Sequence, residues 1–247
     1  MGLPLPSEGD PLELETRLWR GVNPAETGGS CVSTELPGEN VEFWDAWALH
    51  GYDDNMQNEN YQAMARRIVA DVGGVDRALD VATGTGLAAF ELARRVGVVD
   101  GVDFSPEMIA IARRKAADMD VANVRFGVQS AYELLFPDCA FDAVVIANAV
   151  HSMESPQRAL AEARRVLKPN GVLVVPTPCH GENEETLAQI QKIMESGFKD
   201  YQLFSGDRLA EMVTRCGFRV TGRDTIQWVF PETGFRMLVE HIVARPA

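Results

Sequence analysis

The sequence has little cysteine. Cys31, Cys139, Cys179 and Cys216 form no Cys-x-x-Cys pair and no ribbon spacing, so neither a zinc site nor a disulfide framework is supported. No apolar run approaches the roughly 20 residues of a membrane-spanning helix. The opening MGLPLPSEGDPLELETRLWRG has no basic region followed by an apolar core, so no secretory signal is visible and a reducing cytoplasm is the expected compartment. Cations are scarce too: 23 Lys and Arg stand against 36 Asp and Glu, a formal net charge of -13. Non-specific affinity for nucleic acid comes mainly from cations that neutralise phosphates, so DNA and RNA are excluded as expected partners and a small molecule remains. The oligomeric state is left open.

What is present is an ordinary globular composition, 46% hydrophobic and 24% charged over 247 residues, enough for one substantial core. Residues 1–40 are rich in Pro, Gly, Ser and Glu and lack the apolar periodicity of a core element; they are expected to be a flexible N-terminal extension. Residues 41–74 are expected to form a helical cover segment. They bring Phe43, Trp44, Trp47 and Tyr52 close together, and a helix follows in which Tyr61, Met64, Ala65, Ile68 and Val69 share one face. Residues 75–247 form the main domain.

That domain is organised around residues 78–105, ALDVATGTGLAAFELARRVGVVDGVDFS. A buried strand over 78–82 leaves through Thr83-Gly84-Thr85-Gly86, a turn with little side-chain bulk that lets a ligand approach the backbone. Leu87, Phe90, Leu92 and Ala93 suit an amphipathic helix over 87–95, and Val98, Val99 and Val102 rebuild a strand ending at Asp103. This is half of a nucleotide-binding βαβ unit. Gly84 to Ala89 also satisfies the G-x-G-x-x-G/A dinucleotide fingerprint, which makes an NAD-binding Rossmann oxidoreductase the first alternative. Asp80 argues against it, because a carboxylate just ahead of the turn repels a pyrophosphate and attracts an ammonium. No Tyr-x-x-x-Lys pair follows the central strands.

Further along, Ser105-Pro106-Glu107 opens a helix that ends near Met119, and residues 121–126 read as a third strand. Residues 141–147 are a continuous apolar strand interrupted only by Asp142, with residues 148–153 emerging at its carboxyl end, where ligands lie in open α/β sheets. A helix starts at Ser155-Pro156, Lys168-Pro169-Asn170-Gly171 is expected to turn the chain, and residues 172–175 form the next strand. Residues 176–181 read as a stiff proline-bracketed loop at the same edge. An inserted helix over 182–194, a helix through Leu209, Met212, Val213 and Cys216, and a final antiparallel pair over 218–228 and 235–244 complete the chain. Alternating strands and helices predict an α/β fold.

These residues resemble the class I S-adenosylmethionine (SAM) dependent methyltransferases, and among them the small-molecule enzymes of ubiquinone/menaquinone-methyltransferase type. The family's first acid, its Gly-x-Gly turn and its second acid correspond to Asp80, Gly84, Gly86 and Asp103, and Ala82 stands where a further glycine is usual. The likeness continues through FDAVVIANAVHSME (141–154) and RVLKPNGVLVV (165–175) and covers about residues 40–225. It implies a Rossmann-like seven-stranded sheet, mostly parallel with an antiparallel final strand, helices on both faces and an N-terminal helical cover bearing the pair Tyr52-Asp53. It also implies SAM as cofactor, transfer of a methyl group to a small-molecule acceptor, and no metal. The implied cofactor-binding residues are Tyr52, Asp80, Ala82, Gly84, Gly86, Asp103, Phe104, Met108, Ser130, Ala131 and Asn148. Ser130 takes the place where the family usually presents an acid to the adenine amino group. A non-catalytic SAM-binding protein is the second alternative.

Methyl transfer is an in-line displacement in which alignment does most of the work. A general base adds roughly 10²- to 10⁴-fold when the acceptor must lose a proton. His180, on the expected loop after the fifth strand, and His151, at the ligand edge after the fourth, are the candidate catalytic residues.

Overall fold

The computed structural model describes residues 41–49, 52–179, 187, 202–230 and 235–247. The extension expected over residues 1–40, His180 and, apart from Leu187, the helix expected over 182–194 lie outside the described residues.

Three helices open the described chain, α1 (Val41–Leu49), α2 (Tyr52–Met56) and α3 (Glu59–Val72). Asn58 caps α3 by accepting from the Asn60 N–H at 2.9 Å, and Gly73, at φ 72°, ends it. The helix buries Met64, Ala65, Ile68 and Val69, the face set by its 3.6-residue spacing. Then follow β1 (Arg77–Val81), α4 (Leu87–Leu92), β2 (Val98–Asp103), α5 (Pro106–Asp118), β3 (Val124–Val128), β4 (Phe141–Val145) and a 3-10 turn at Val150–Ser152. The chain continues with α6 (Pro156–Val166), β5 (Leu167–Cys179), α7 (Gly206–Arg215), β6 (Phe218–Phe230) and β7 (Phe235–Pro246).

All seven strands lie in one sheet of order β3-β2-β1-β4-β5-β7-β6, with β7 antiparallel to both of its neighbours. Side-chain alternation divides the core between two faces. Ala78, Val99, Val124, Ala143, Val145, Val172 and Val174 pack in one cluster with α3, α4 and α5. Leu79, Val144 and Leu173, one position out of phase and fully buried, face the other side, and α6 packs against β5. Right-handed crossovers explain this layering, because the chain steps outward from β1 to β3 and then returns across β1 to β4. The carboxyl ends of β1 and β4 therefore flank the switch point where open α/β sheets bind ligands.

Several boundaries differ from the sequence reading, among them the ends of α4 at Leu92 and of β4 at Val145, short of the expected 95 and 147. The third strand begins at Val124 rather than Val121, because Val121 N–H still bonds the Ala116 carbonyl at 3.0 Å and Asp120, at φ 53°, closes α5. Residues 168–171 do not turn the chain away: β5 already starts at Leu167, and the register jump from Phe141–Leu167 to Ala143–Val172 absorbs them as a bulge. The expected loop at residues 176–179 is strand, paired with β7 from Pro176–His241 to Cys179–Leu238. Val174 and Pro176 turn their carbonyls toward the β4 side, to Ile146 N and Asn148 N. The donors missing at Pro176 and Pro178 therefore fall beyond the end of β4, and the ladder to β7 does not need them.

Candidate active site

The turn after β1 is built from unusual backbone angles. Ala82, Gly84 and Gly86 have φ of 56°, 55° and 95°. Left-handed geometry costs an alanine roughly 1 kcal/mol, so Ala82 holds it under constraint from its neighbours. The two glycines serve different ends. A Cβ on Gly84 would lie 2.7 Å from the Tyr52 hydroxyl, so this residue keeps the cavity side open. A Cβ on Gly86 would meet the Phe90 ring at 2.7 Å and Phe126 at 2.9 Å, so this one is required by packing, away from the cavity.

The two motif carboxylates also separate. Asp103, at the end of β2, lies on the cavity wall, accepting from Gly84 N–H at 2.8 Å and Ser105 N–H at 3.0 Å. Its unused lone pairs can receive donors from a ligand. Asp80 does not line the cavity; it is 1% exposed and accepts the Thr83 hydroxyl at 2.6 Å, bracing the turn from behind. Burial pushes Asp80 up to about 7, against hydrogen bonds from Thr83 and the Ala89 backbone and with help from the Asp103 charge. Burial likewise pushes Asp103 up to about 6, against bonds from the Ser105, Gly84 and Phe104 backbone.

The two shifts have a measurable sign. Both folded values exceed the ordinary 3.8, so the stability these groups contribute is complete below that pH and is lost as pH rises through about 6 to about 7. A ligand that donates hydrogen bonds to ionised Asp103 reverses the sign for binding. SAM affinity is expected to fall by about tenfold per unit as pH drops below 6, with proton release on binding near pH 6. Calorimetry at pH 5 to 7 in buffers of different ionisation heat checks this. Asp103→Asn should flatten the profile, and a flat wild-type profile would remove Asp103 from the ligand contacts.

α1 and α2 form one side of the cavity through Phe43, Trp44 and Tyr52. Their rings pack with Trp47 in a chain of contacts, Phe43 to Trp44 at 5.5 Å, Trp44 to Trp47 at 5.3 Å and Trp47 to Tyr52 at 5.5 Å. Asp45 of α1 accepts from the Ser105 hydroxyl and from Glu107 N–H at 3.4 Å, at the positive end of α5. Burial, reinforced by the Asp103 charge, pushes the Tyr52 phenol above its ordinary range, so its hydroxyl stays a donor.

Opposite stand Phe104 and Met108 at the start of α5, Gln129 and Ala131 after β3, and Tyr132. Gln129 was not anticipated. Its N–H bonds the Asp103 carbonyl at 2.9 Å, and its Oε1 accepts from Leu135 N–H at 3.0 Å, which fixes it beside Asp103. Ser130 is buried behind the wall, its hydroxyl accepting from Tyr132 N–H at 3.1 Å. The far end is made by Ala147, Asn148, Ala149, Ser152 and Met153. Asn148, at φ 52°, donates its N–H to Pro176 at 2.8 Å, and its side chain bonds the Tyr61 phenol. His151 is 5% exposed in the 3-10 turn and is not on the wall. Of the implied SAM residues, the structure brings Tyr52, Ala82, Gly84, Asp103, Phe104, Met108, Ala131 and Asn148 together around the cavity and sets Asp80, Gly86 and Ser130 behind it. Among the described residues, no group of three or more His, Cys, Asp or Glu could hold a metal ion, and no helix is long and apolar enough to cross a membrane.

Comparison with known proteins bears on the fold and the family. Residues 79–175, from β1 into β5, match the family described as methyltransferase domain. The chain is 31% identical over 188 residues to demethylmenaquinone methyltransferase of Staphylococcus aureus, covering 72% of this chain and 76% of that protein. A Bacillus halodurans structure assigned as a methyltransferase superposes with a TM-score of 0.66 at 21% identity, over 75% of this chain and 99% of the other. A SAM-dependent methyltransferase from Aquifex aeolicus does so at 0.56 and 20% identity, over 72% and 88%. At those identities the two structures bear on the fold alone. With this sequence relative the NAD alternative falls away, and the chain belongs to the class I SAM-dependent methyltransferases.

Proposed function

We propose that this SAM-dependent methyltransferase acts on a small, planar, hydroxylated aromatic acceptor of the quinol class. The observation that carries the reading is the cavity wall beyond the glycine turn. Phe43, Trp44, Tyr132, Ala149 and Met153 supply aromatic and apolar surface, Asn148 and Ser152 supply neutral polar groups, and no lysine or arginine is among the described residues that line it. An anionic acceptor would lose its hydration there beside Asp103, and among the described residues no lysine or arginine side chain lines the wall to meet it. Similarity to a demethylmenaquinone methyltransferase supports the same class. The net charge of -13 argues against a nucleic-acid acceptor, and four cysteines without a Cys-x-x-Cys pair fit a reducing cytoplasm.

In this reading Asp103 takes the ribose hydroxyls, Phe104, Met108, Gln129 and Ala131 enclose the adenine, and Ala82, Gly84 and Tyr52 hold the methionine end. Residues 41–74 serve as cover and residues 75–247 as the methyltransferase domain. SAM supplies an electrophilic methyl carbon on a cationic sulfonium. The aromatic faces of Phe43, Trp44 and Tyr52 favour a cation and keep out water. Holding an acceptor in line with the methyl is worth ~7 to 11 kcal/mol. His180, which follows β5 in the sequence, is the proposed base for an acceptor that loses a proton, and His151, buried in the 3-10 turn off the wall, is not placed to serve as one.

The test is a panel of acceptors with S-adenosylhomocysteine release as readout. A reduced naphthoquinone is expected to exceed its ring-carboxylated analogue by ~100-fold in kcat/KM, the penalty for an unpaired charge in such a wall. Equal rates, or a preference for the anion, would reject the acceptor class.

A further inference from the structure

The cover is joined to the glycine turn by a closed ring of three side chains. Asp53 follows Tyr52 on α2, and its Oδ1 accepts the Thr85 hydroxyl at 2.5 Å and the Lys115 ammonium at 3.1 Å. Lys115, in the last turn of α5, also donates to the Thr85 oxygen at 3.3 Å. Each group is used according to its chemistry: the carboxylate accepts twice, the ammonium donates twice, and the threonine hydroxyl both donates and accepts. Thr85 is the residue between Gly84 and Gly86 and is 1% exposed. The ammonium stands 5.8 Å from the Phe90 ring, so one side of the ring of contacts is apolar.

α2 is five residues long, too short to hold its shape without tertiary anchors. Its first residue, Tyr52, presses its hydroxyl into the space above Gly84, where a Cβ would come within 2.7 Å. The height of Tyr52 over the turn therefore depends on what fixes its neighbour. Asp53, Asp80 and Asp103 all act on the Tyr52 hydroxyl, and Lys115 offsets the one that belongs to the cover.

We propose that Asp53, Thr85 and Lys115 are positioning residues for methyl transfer: together they clasp α2 to the middle of the Gly-Thr-Gly turn, set Tyr52 over Gly84, and so govern how tightly the cover closes on SAM. The proposal rests on the reading of this cavity as the SAM site. None of the three side chains lines the cavity, so their effect passes through Tyr52 and the turn.

The experiment measures SAM affinity of the full chain by calorimetry, in low and high sodium chloride, with thermal melts of every variant. Asp53→Asn and Lys115→Met are each expected to weaken SAM about tenfold, a charged hydrogen bond discounted for the partial exposure of both side chains. The double variant should be no weaker than either single one, because one interaction is lost only once. Wild-type affinity should fall with salt while the variants lose that dependence, and Lys115→Arg should recover to within about threefold. Affinities within twofold of wild type in folded variants would overturn the clasp, as would additive losses in the double variant. Failure of the wild-type chain to bind SAM at all would reject the cavity assignment and the clasp with it, so the two failures are distinguishable.

Discussion

Asp103→Ala is expected to weaken SAM binding by about 10- to 150-fold, equivalent to roughly 1.5 to 3 kcal/mol for hydrogen bonds to a charged group. Among the described residues that line the cavity the carboxylate is the only charged group, and it accepts backbone N–H bonds from Gly84 and Ser105. Removing it would therefore take away the proposed acceptor for the ribose and also untie the glycine turn from the start of α5. Asp103→Asn should fall between wild type and alanine, because the amide keeps one acceptor oxygen and turns the other position into a donor. Calorimetric titration with SAM reads the effect directly. Affinity within twofold of wild type in the alanine variant would end the assignment.

Asp80→Asn provides the contrast. Its carboxylate accepts the Thr83 hydroxyl behind the turn and has no face on the cavity. Burial pushes it up to about 7, so that it already carries a proton about half of the time at pH 7. The amide should preserve SAM affinity to within about threefold, while alanine at the same place leaves the buried Thr83 hydroxyl without its acceptor and lowers stability by about 1 to 3 kcal/mol. A large loss of SAM affinity in Asp80→Asn would restore the direct role that its place in the motif suggested.

The largest stability effect is expected at Asp100. This carboxylate is fully buried in β2 and held by the Arg77 guanidinium at 2.9 Å and the Arg125 guanidinium at 3.0 Å. Arg77 in turn lies 4.8 Å from the Phe141 ring centroid, so the pair is embedded in the packing at the start of the sheet. Breaking such a pair by removing one partner costs about 3 to 5 kcal/mol. The lower figure applies here, because the arginine side chains keep 23% and 34% exposure and can turn to water. Asp100→Ala is thus expected to unfold at a melting temperature ~6 to 12 °C below wild type, with SAM affinity of the folded fraction unchanged. Denaturant unfolding gives the free energy, and a loss under about 1 kcal/mol would show that the two arginines find other partners.

The βαβ unit was the most legible part of the chain, because its signals are local. A short apolar strand, the Gly84-Thr85-Gly86 turn and an acid closing the next strand set β1 and β2 to within a residue, and the side chains of Ala78, Leu79 and Val99 fall on the faces that strand parity requires. What escaped depends on distant partners or on loops without a period. Pro176 and Pro178 read as loop until the β7 ladder, far along the chain, shows that their missing donors are not needed. Gln129 displaced Ser130 at the cavity by a one-residue offset in a loop, where no pattern distinguishes neighbours. The direction of Asp80 had a faint local sign: a threonine three residues on, whose hydroxyl could turn back to the carboxylate. Gly86 was grouped with Gly84 by motif, although Phe90 and Phe126, which require it, could be identified only once β3 was packed. The ring of His151 was expected at the ligand edge, but the 3-10 turn that buries it also places Ser152 and Met153 on the wall.

A crystal structure of the full chain with S-adenosylhomocysteine tests the central claim most directly. The expected complex has both ribose hydroxyls on Asp103, the adenine among Phe104, Met108, Gln129 and Ala131, the amino-acid end under Tyr52 at Gly84, and the sulfur facing the apolar wall of Trp44, Tyr132 and Met153. A nucleoside bound without contact to Asp103, or a sulfur pointing away from that aromatic wall, would contradict it.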